Sequence, residues 1–150
     1  MSLYITDEGG QYLLNCLFNG TTMPTSYTIE LISAATAISE SISAEEAEVN
    51  DSHYEVDPAI YGGARTIDAS KCAVSLVNGI ATAIWNQEDF VFTGPLPTGD
   101  YVVGYEVIST LDANKPVIFA EFFANPFKPQ ANGDTLSIVL KLALGNGTIL

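Results

Sequence analysis

Between Asn86 and Leu144 short apolar runs follow one another, each closed by a cluster of turn-forming residues, and this punctuation commits the last third of the chain to strands. The clearest run is Thr135 to Leu144. Leu136, Ile138, Leu140, Leu142 and Leu144 alternate there with Thr135, Ser137, Val139, Lys141 and Ala143. A period of two with one apolar face predicts a half-buried antiparallel strand, because successive side chains of a strand point to opposite faces. Tyr101, Val103, Tyr105 and Val107 give a second alternating run, and Val117, Phe119 and Phe123 mark a third that is apolar on both faces.

Upstream, Thr6-Asp7-Glu8 offers a capping residue and two acids for the positive end of a helix dipole, and Leu13, Leu14, Leu17 and Phe18 recur at helical spacing. The pattern predicts a helix over 7–18, ended by Asn19-Gly20. A first strand is expected from Tyr27 to Ile32 with Tyr27, Ile29 and Leu31 inward. Residues 33–58 form an acidic, variable segment in which Ser43 to Glu46 has the capping-box pattern of a short helix. Tyr61 to Ile67 reads as a strand entered through Gly62-Gly63. Cys72 to Val77 and Ile80 to Trp85 flank Asn78-Gly79, the strongest short hairpin signal, since both turn positions accept a positive φ. Strands over Phe90–Thr93, Asp100–Ser109, Pro116–Phe123 and Thr135–Leu144 complete about eight. The expected fold is mainly β: a single-domain antiparallel β-sandwich or jelly-roll-like barrel with one short N-terminal helix. Its 150 residues suffice for one core.

Charge narrows the partners. Acids outnumber bases 18 to 5, and the first base is Arg65, so nucleic acid is excluded as an expected direct partner, since phosphate binding needs clustered cations. No run approaches the roughly 20 apolar residues needed to cross a bilayer, and the opening residues lack a signal-peptide pattern, so no membrane partner is expected. Cys16 and Cys72 are too few for a disulfide framework and are expected as reduced, buried thiols in a cytoplasm. The sequons at Asn19 and Asn146 read as loop sequence.

No residue pattern compels chemistry, and no catalytic, cofactor-binding or metal site is expected. His53, the only histidine, has no nucleophile-elbow pattern beside it. Glu106 and Glu121 each interrupt an apolar strand and are the best pair for a two-carboxylate glycosidase, although Glu121 paired with a lysine or a backbone amide is the simpler expectation. Asp51, Glu55 and Asp57 are spaced suggestively for calcium but lack the glycine and closing glutamate of an EF-hand loop. Tyr61, Trp85 and Tyr105 are candidates for stacking on sugar rings in a carbohydrate- or receptor-binding module. Phe119, Phe122, Phe123 and Phe127 crowd nine residues, and Phe122 and Phe123, being adjacent, must face opposite ways. Core burial is the simpler reading of that crowd, with Phe122, Phe123 and Phe127 as the candidate subunit or partner interface.

The order Phe90-Val91-Phe92-Thr93-Gly94, Gly104-Tyr105, Ala120-Glu121-Phe122, Pro126, Gly133-Asp134 and a closing alternating strand resembles the C-terminal half of a family of small tailed-phage virion proteins. The resemblance extends to Asp7-Glu8-Gly9, Tyr12-Leu13-Leu14 and the strand from Tyr27 to Ile32, and fades between Ser33 and Val56. It implies a non-enzymatic structural protein, foremost a capsid decoration or cement protein. Such a protein is assembled in the host cytoplasm, sits on the virion's capsid surface as a homo-oligomer, and clamps copies of the major capsid protein. A tail or neck component is the alternative within that class.

Overall fold

The computed structural model describes residues 2–5, 7–33, 56–109 and 117–144. The capping-box segment at Ser43–Glu46, His53, the carboxylates Asp51 and Glu55 and the Asn146 sequon lie outside the described residues, as does most of the acidic segment 33–58.

The chain is mainly β, with antiparallel sheets and one short N-terminal helix, as expected, and its layering is sandwich-like. In chain order the elements are β1 (Ser2–Ile5), α1 (Asp7–Phe18), β2 (Ser26–Ser33), the single helical turn α2 (Pro58–Tyr61), β3 (Arg65–Asp68), a 3-10 turn (Ala69–Lys71), β4 (Cys72–Val77), β5 (Ile80–Trp85), β6 (Glu88–Val91), β7 (Val102–Ser109), β8 (Val117–Phe127), β9 (Thr135–Ile138) and β10 (Lys141–Leu144). They form a five-stranded sheet ordered β1-β8-β7-β2-β3, a three-stranded sheet ordered β10-β5-β4, and the pair β6-β9. The core joins all three. Ile29, Leu31, Tyr105 and Val107 of the large sheet pack with Phe90 and Ile138 of the β6-β9 pair and with Phe92 and Leu140 just beyond those strands, and Trp85 and Leu142 of the three-stranded sheet pack against them. Tyr61 lies in the middle, its ring 5.8 Å from Phe90 and 6.3 Å from Phe92.

Local chemistry explains most of the elements. The Cys72–Trp85 hairpin forms with the expected register, Val77 opposite Ile80, and both turn residues take positive φ, 52° at Asn78 and 80° at Gly79. Asp57 caps α2, accepting from the Ala59 amide at 3.0 Å, with Pro58 in the first turn where no amide proton is needed. Arg65 then donates to the carbonyls of Gly62 and Gly63, while its guanidinium stacks 5.1 Å from the Phe90 ring. The strand expected from Tyr61 begins only at Arg65, because Tyr61 closes that helical turn and the glycine pair turns the chain.

Four further expectations need correction. The chain opens on an unforeseen strand, β1, whose four residues pair along β8. The helix spans the predicted residues, but its inner face is Gly9, Tyr12, Leu13 and Cys16, leaving Leu14, Leu17 and Phe18 exposed. Gly9 sets that rotation: a β-carbon there would lie 2.4 Å from the Ile118 carbonyl oxygen, so only glycine lets α1 meet β8 this closely. The closing run Thr135–Leu144 is two strands. Its one-face alternation holds, with Ile138 and Leu140 buried and Val139 exposed, yet the chain leaves β6 at Ile138 and joins β5 from Lys141. The Trp85 amide donates to the Leu140 carbonyl at the crossing, which keeps that peptide bonded between sheets. The β8 strand also runs four residues beyond the predicted Phe123, to Phe127.

The central strand β7 is buried along almost its whole length. At Gly104 a β-carbon would stand 2.2 Å from the Glu121 carbonyl oxygen of β8. Replacing either close-packed glycine, Gly9→Ala or Gly104→Ala, is expected to cost about 1–3 kcal/mol as an overpacking change. Thermal unfolding should register this as a loss of about 2–4 °C per kcal/mol for a chain of this size. Gly94→Ala, where a β-carbon meets nothing within 4 Å, should leave the midpoint unchanged.

Candidate functional site

The two glutamates singled out from the sequence do not form a pair. Tyr105 stands directly opposite Glu121, and Glu106 directly opposite Ala120, in the β7-β8 register. Residues directly opposite in a sheet project to the same side, and neighbours in a strand project to opposite sides. Glu106 and Glu121 therefore occupy opposite faces of the five-stranded sheet and cannot flank one glycosidic bond. Glu106 is fully buried on the face shared with Gly104, Ile108 and Ala120, with Glu30 of β2 opposite it.

Glu121 has a different partner from the expected lysine or backbone amide. The Tyr105 hydroxyl donates a short hydrogen bond to its Oε2. Burial pushes the Tyr105 phenol well above its ordinary value of 10.0, and the hydrogen bond to Glu121 and that carboxylate's charge raise it further. Burial likewise raises Tyr27, with Tyr12 and Cys16 adding to it.

Most of the other candidates among the described residues are also absorbed into the fold. Tyr61 and Tyr105 are buried, so neither can stack on an external sugar ring, and of the three proposed aromatics only Trp85 is partly open. Asp57 serves as the cap of α2. Two half-buried aspartates hold turns: Asp134 accepts from the amides of Gln130 and Ala131, and Asp68 from the amide and hydroxyl of Ser70, bonds that lower the pKa of both carboxyls. Asp89 is lowered in the same way by the Ser137 hydroxyl and the Gln87 amide. Among the described residues no group of three His, Cys, Asp or Glu could hold a metal ion. No helix among them is long and apolar enough to cross a membrane. Cys16 and Cys72 are free thiols, half-buried where full burial was expected.

The phenylalanine cluster divides as strand geometry requires. Phe119 is buried. Phe122 packs on Ile32 and Ala120 on one face; Phe123 lies on the other, its ring 6.1 Å from Tyr105. Phe127 sits 5.5 Å from Phe92. All three candidate interface residues, Phe122, Phe123 and Phe127, are half-buried against inner neighbours.

The apolar surface open to solvent lies instead on the β4-β5 hairpin, which sequence reading treated only as a local fold signal. Val74 is 76% exposed and Leu76 75%, with Val77 and Ile80 partly open at the tip. Beside them a groove of about 420 Å³ is lined by Met23, Pro24, Tyr27, Asp68, Cys72, Val74 and Trp85. The alternation Cys72, Val74, Leu76 was the available signal, but whether such a face is covered depends on where the hairpin sits. A further polar cluster carries no sequence signal: the Ser33 hydroxyl donates to the buried Asp100 carboxylate at 2.6 Å, which also accepts from the Tyr101 amide. It pins the end of β2 to the start of β7.

Because Tyr105 keeps its proton in the folded chain while an unfolded tyrosine loses one above about pH 10, unfolding releases a proton in alkali. The stabilisation is fully present below pH 10 and declines as pH rises above it. Denaturant titrations of the wild type should show this decline. Tyr105→Phe should be less stable by about 1 kcal/mol at neutral pH, from the lost hydrogen bond, and should flatten the alkaline slope.

No family model matches this chain, and neither a curated protein nor a solved structure matches it.

Proposed function

We propose that this chain is a non-enzymatic structural protein of a tailed-phage virion, a capsid decoration protein that binds the outer surface of the head and holds neighbouring major capsid subunits together. It is assembled in the host cytoplasm and acts as a homo-oligomer on the particle. The observation that carries this reading is the uncharged, exposed hairpin surface around Val74 and Leu76. Exposed apolar patches on a soluble domain mark contact sites for other proteins. The ordered resemblance from Phe90 to Asp134 supports the same class. A charge of −13 suits a subunit that must stay soluble at high copy number before it docks.

Counting copies in purified particles tests the proposal. A decoration protein should approach stoichiometry with the major capsid protein, and particles lacking it should release DNA at lower temperature or after osmotic shock. A few to tens of copies would assign it to the tail or neck instead. Its absence from particles, with the protein found only in lysate, would remove the virion role altogether.

A further inference from the structure

We infer that β4 is a self-pairing edge, at which two copies of this chain join their three-stranded sheets into one six-stranded sheet about a two-fold axis at Val74.

A two-residue hairpin turn makes the flanking pair, Val77 and Ile80, a hydrogen-bonded pair. Hydrogen-bonded pairs alternate along an antiparallel ladder, so Ser75-Thr82 and Ala73-Ile84 follow. The bond from the Asn86 amide to the Lys71 carbonyl, 2.8 Å, continues the same alternation. The amides and carbonyls of Cys72, Val74 and Leu76 therefore point away from β5. Among the described residues β4 has no other strand neighbour, and the exposure of Val74 and Leu76 agrees with an open edge.

An open edge is usually guarded by brevity, charge or proline. Each of the other edge strands of the described sheets, β1, β3, β6, β9 and β10, is four residues long, and β3, β6 and β10 carry charged residues. By contrast β4 has six residues, Cys-Ala-Val-Ser-Leu-Val, with no charge, no proline and no shift in its register with β5.

A second copy fits this edge in two ways. Antiparallel pairing centred on Val74 sets Cys72 against Leu76 of the other copy, Val74 against Val74, and Leu76 against Cys72. All three spare residues of each strand are then used, in pairs that exchange two hydrogen bonds each. Two chains of charge −13 repel, yet no charged side chain lies within this overlap, and the antiparallel direction sends the two Lys71 residues to opposite ends. The second fit is one of shape. Cys72, Val74 and Leu76 share one face of the sheet, and a two-fold axis perpendicular to it keeps that face common to both copies. Leu76 of each copy is thus set beside Cys72 of the other, at the largely apolar groove lined by Met23, Tyr27, Cys72, Val74 and Trp85, in which Asp68 is the one charged residue. One molecule carries both the exposed leucine and the groove that receives it.

This contact supplies part of the homo-oligomer proposed above, and it is tested on the free protein, so its failure is separable from failure of the virion role. In a Cys16→Ser, Cys72→Ser background, Val74→Cys places two thiols across the axis at a Cα separation of about 5.5 Å, within disulfide reach. Mild oxidation should convert this variant to a covalent dimer, while Ser75→Cys, on the opposite face and off the axis, should stay uncrosslinked. By sedimentation the wild type should be a dimer. Val74→Pro, which removes an outward amide and no hairpin bond, and Leu76→Lys should both sediment as monomers with unchanged circular dichroism. A wild type that sediments as a monomer or a trimer, equal crosslinking at both positions, or a dimer that survives Leu76→Lys would overturn the inference.

Discussion

Everything in this structure hangs on the burial of β7 from both sides. It is the middle strand of the five, bonded to β2 and β8, with Tyr105 and Val107 in the main core and Glu106 and Ile108 buried on the opposite face. A strand buried on both faces has no free side for polar groups, so each one needs a specific arrangement. Tyr105 meets this with Glu121, Ser109 donates to the Tyr12 hydroxyl of α1, and Asp100 receives Ser33 just before the strand begins. Gly104 is the steric counterpart, giving β8 room to lie against β7 where a side chain would collide with its backbone.

From that centre the two sheets are held in register by a chain that changes partners. The closing strand pairs first with β6 and then with β5, so Ile138 and Leu140 reach one core from two ladders. The three-stranded sheet is tied down at Trp85, Leu142 and the Lys71–Glu88 ion pair, 2.6 Å apart. Among the described residues its far side, the outer edge of β4, has no such tie. The cohesion of the domain and the availability of its open edge thus share one cause: the core holds the base of the hairpin, and the rest projects beyond it.

Much of this was legible in the residues. The Asn78-Gly79 hairpin, the inward set of β2 and the extent of α1 follow from turn chemistry and periodicity, which act over a few residues. The errors share an origin in contacts between distant segments. Leu13, Leu14, Leu17 and Phe18 formed the more apolar stripe of α1, but the close approach of Gly9 to Ile118 turned a different face inward. An alternating pattern persists when a strand changes neighbours, so nothing in Thr135 to Leu144 could reveal the break at Val139 and Leu140. The site was less legible still. Glu106 and Glu121 looked equivalent as carboxylates in apolar strands, and only the β7-β8 register separated them onto opposite faces.

The sequence by itself determined a mainly β chain, its N-terminal helix and its Asn78-Gly79 turn, its acidity and the lack of any recognisable catalytic or phosphate-binding motif, because these depend on composition and short-range spacing. Only the tertiary structure decided which apolar faces are covered. Phe122, Phe123 and Phe127, the most conspicuous aromatics in the chain, found inner partners, while the unremarkable Val74 and Leu76 stayed in solvent. The physical reason is that burial belongs to a pair of surfaces. A strand's alternation shows that a face is apolar, and the placement of every other strand settles whether anything lies against it.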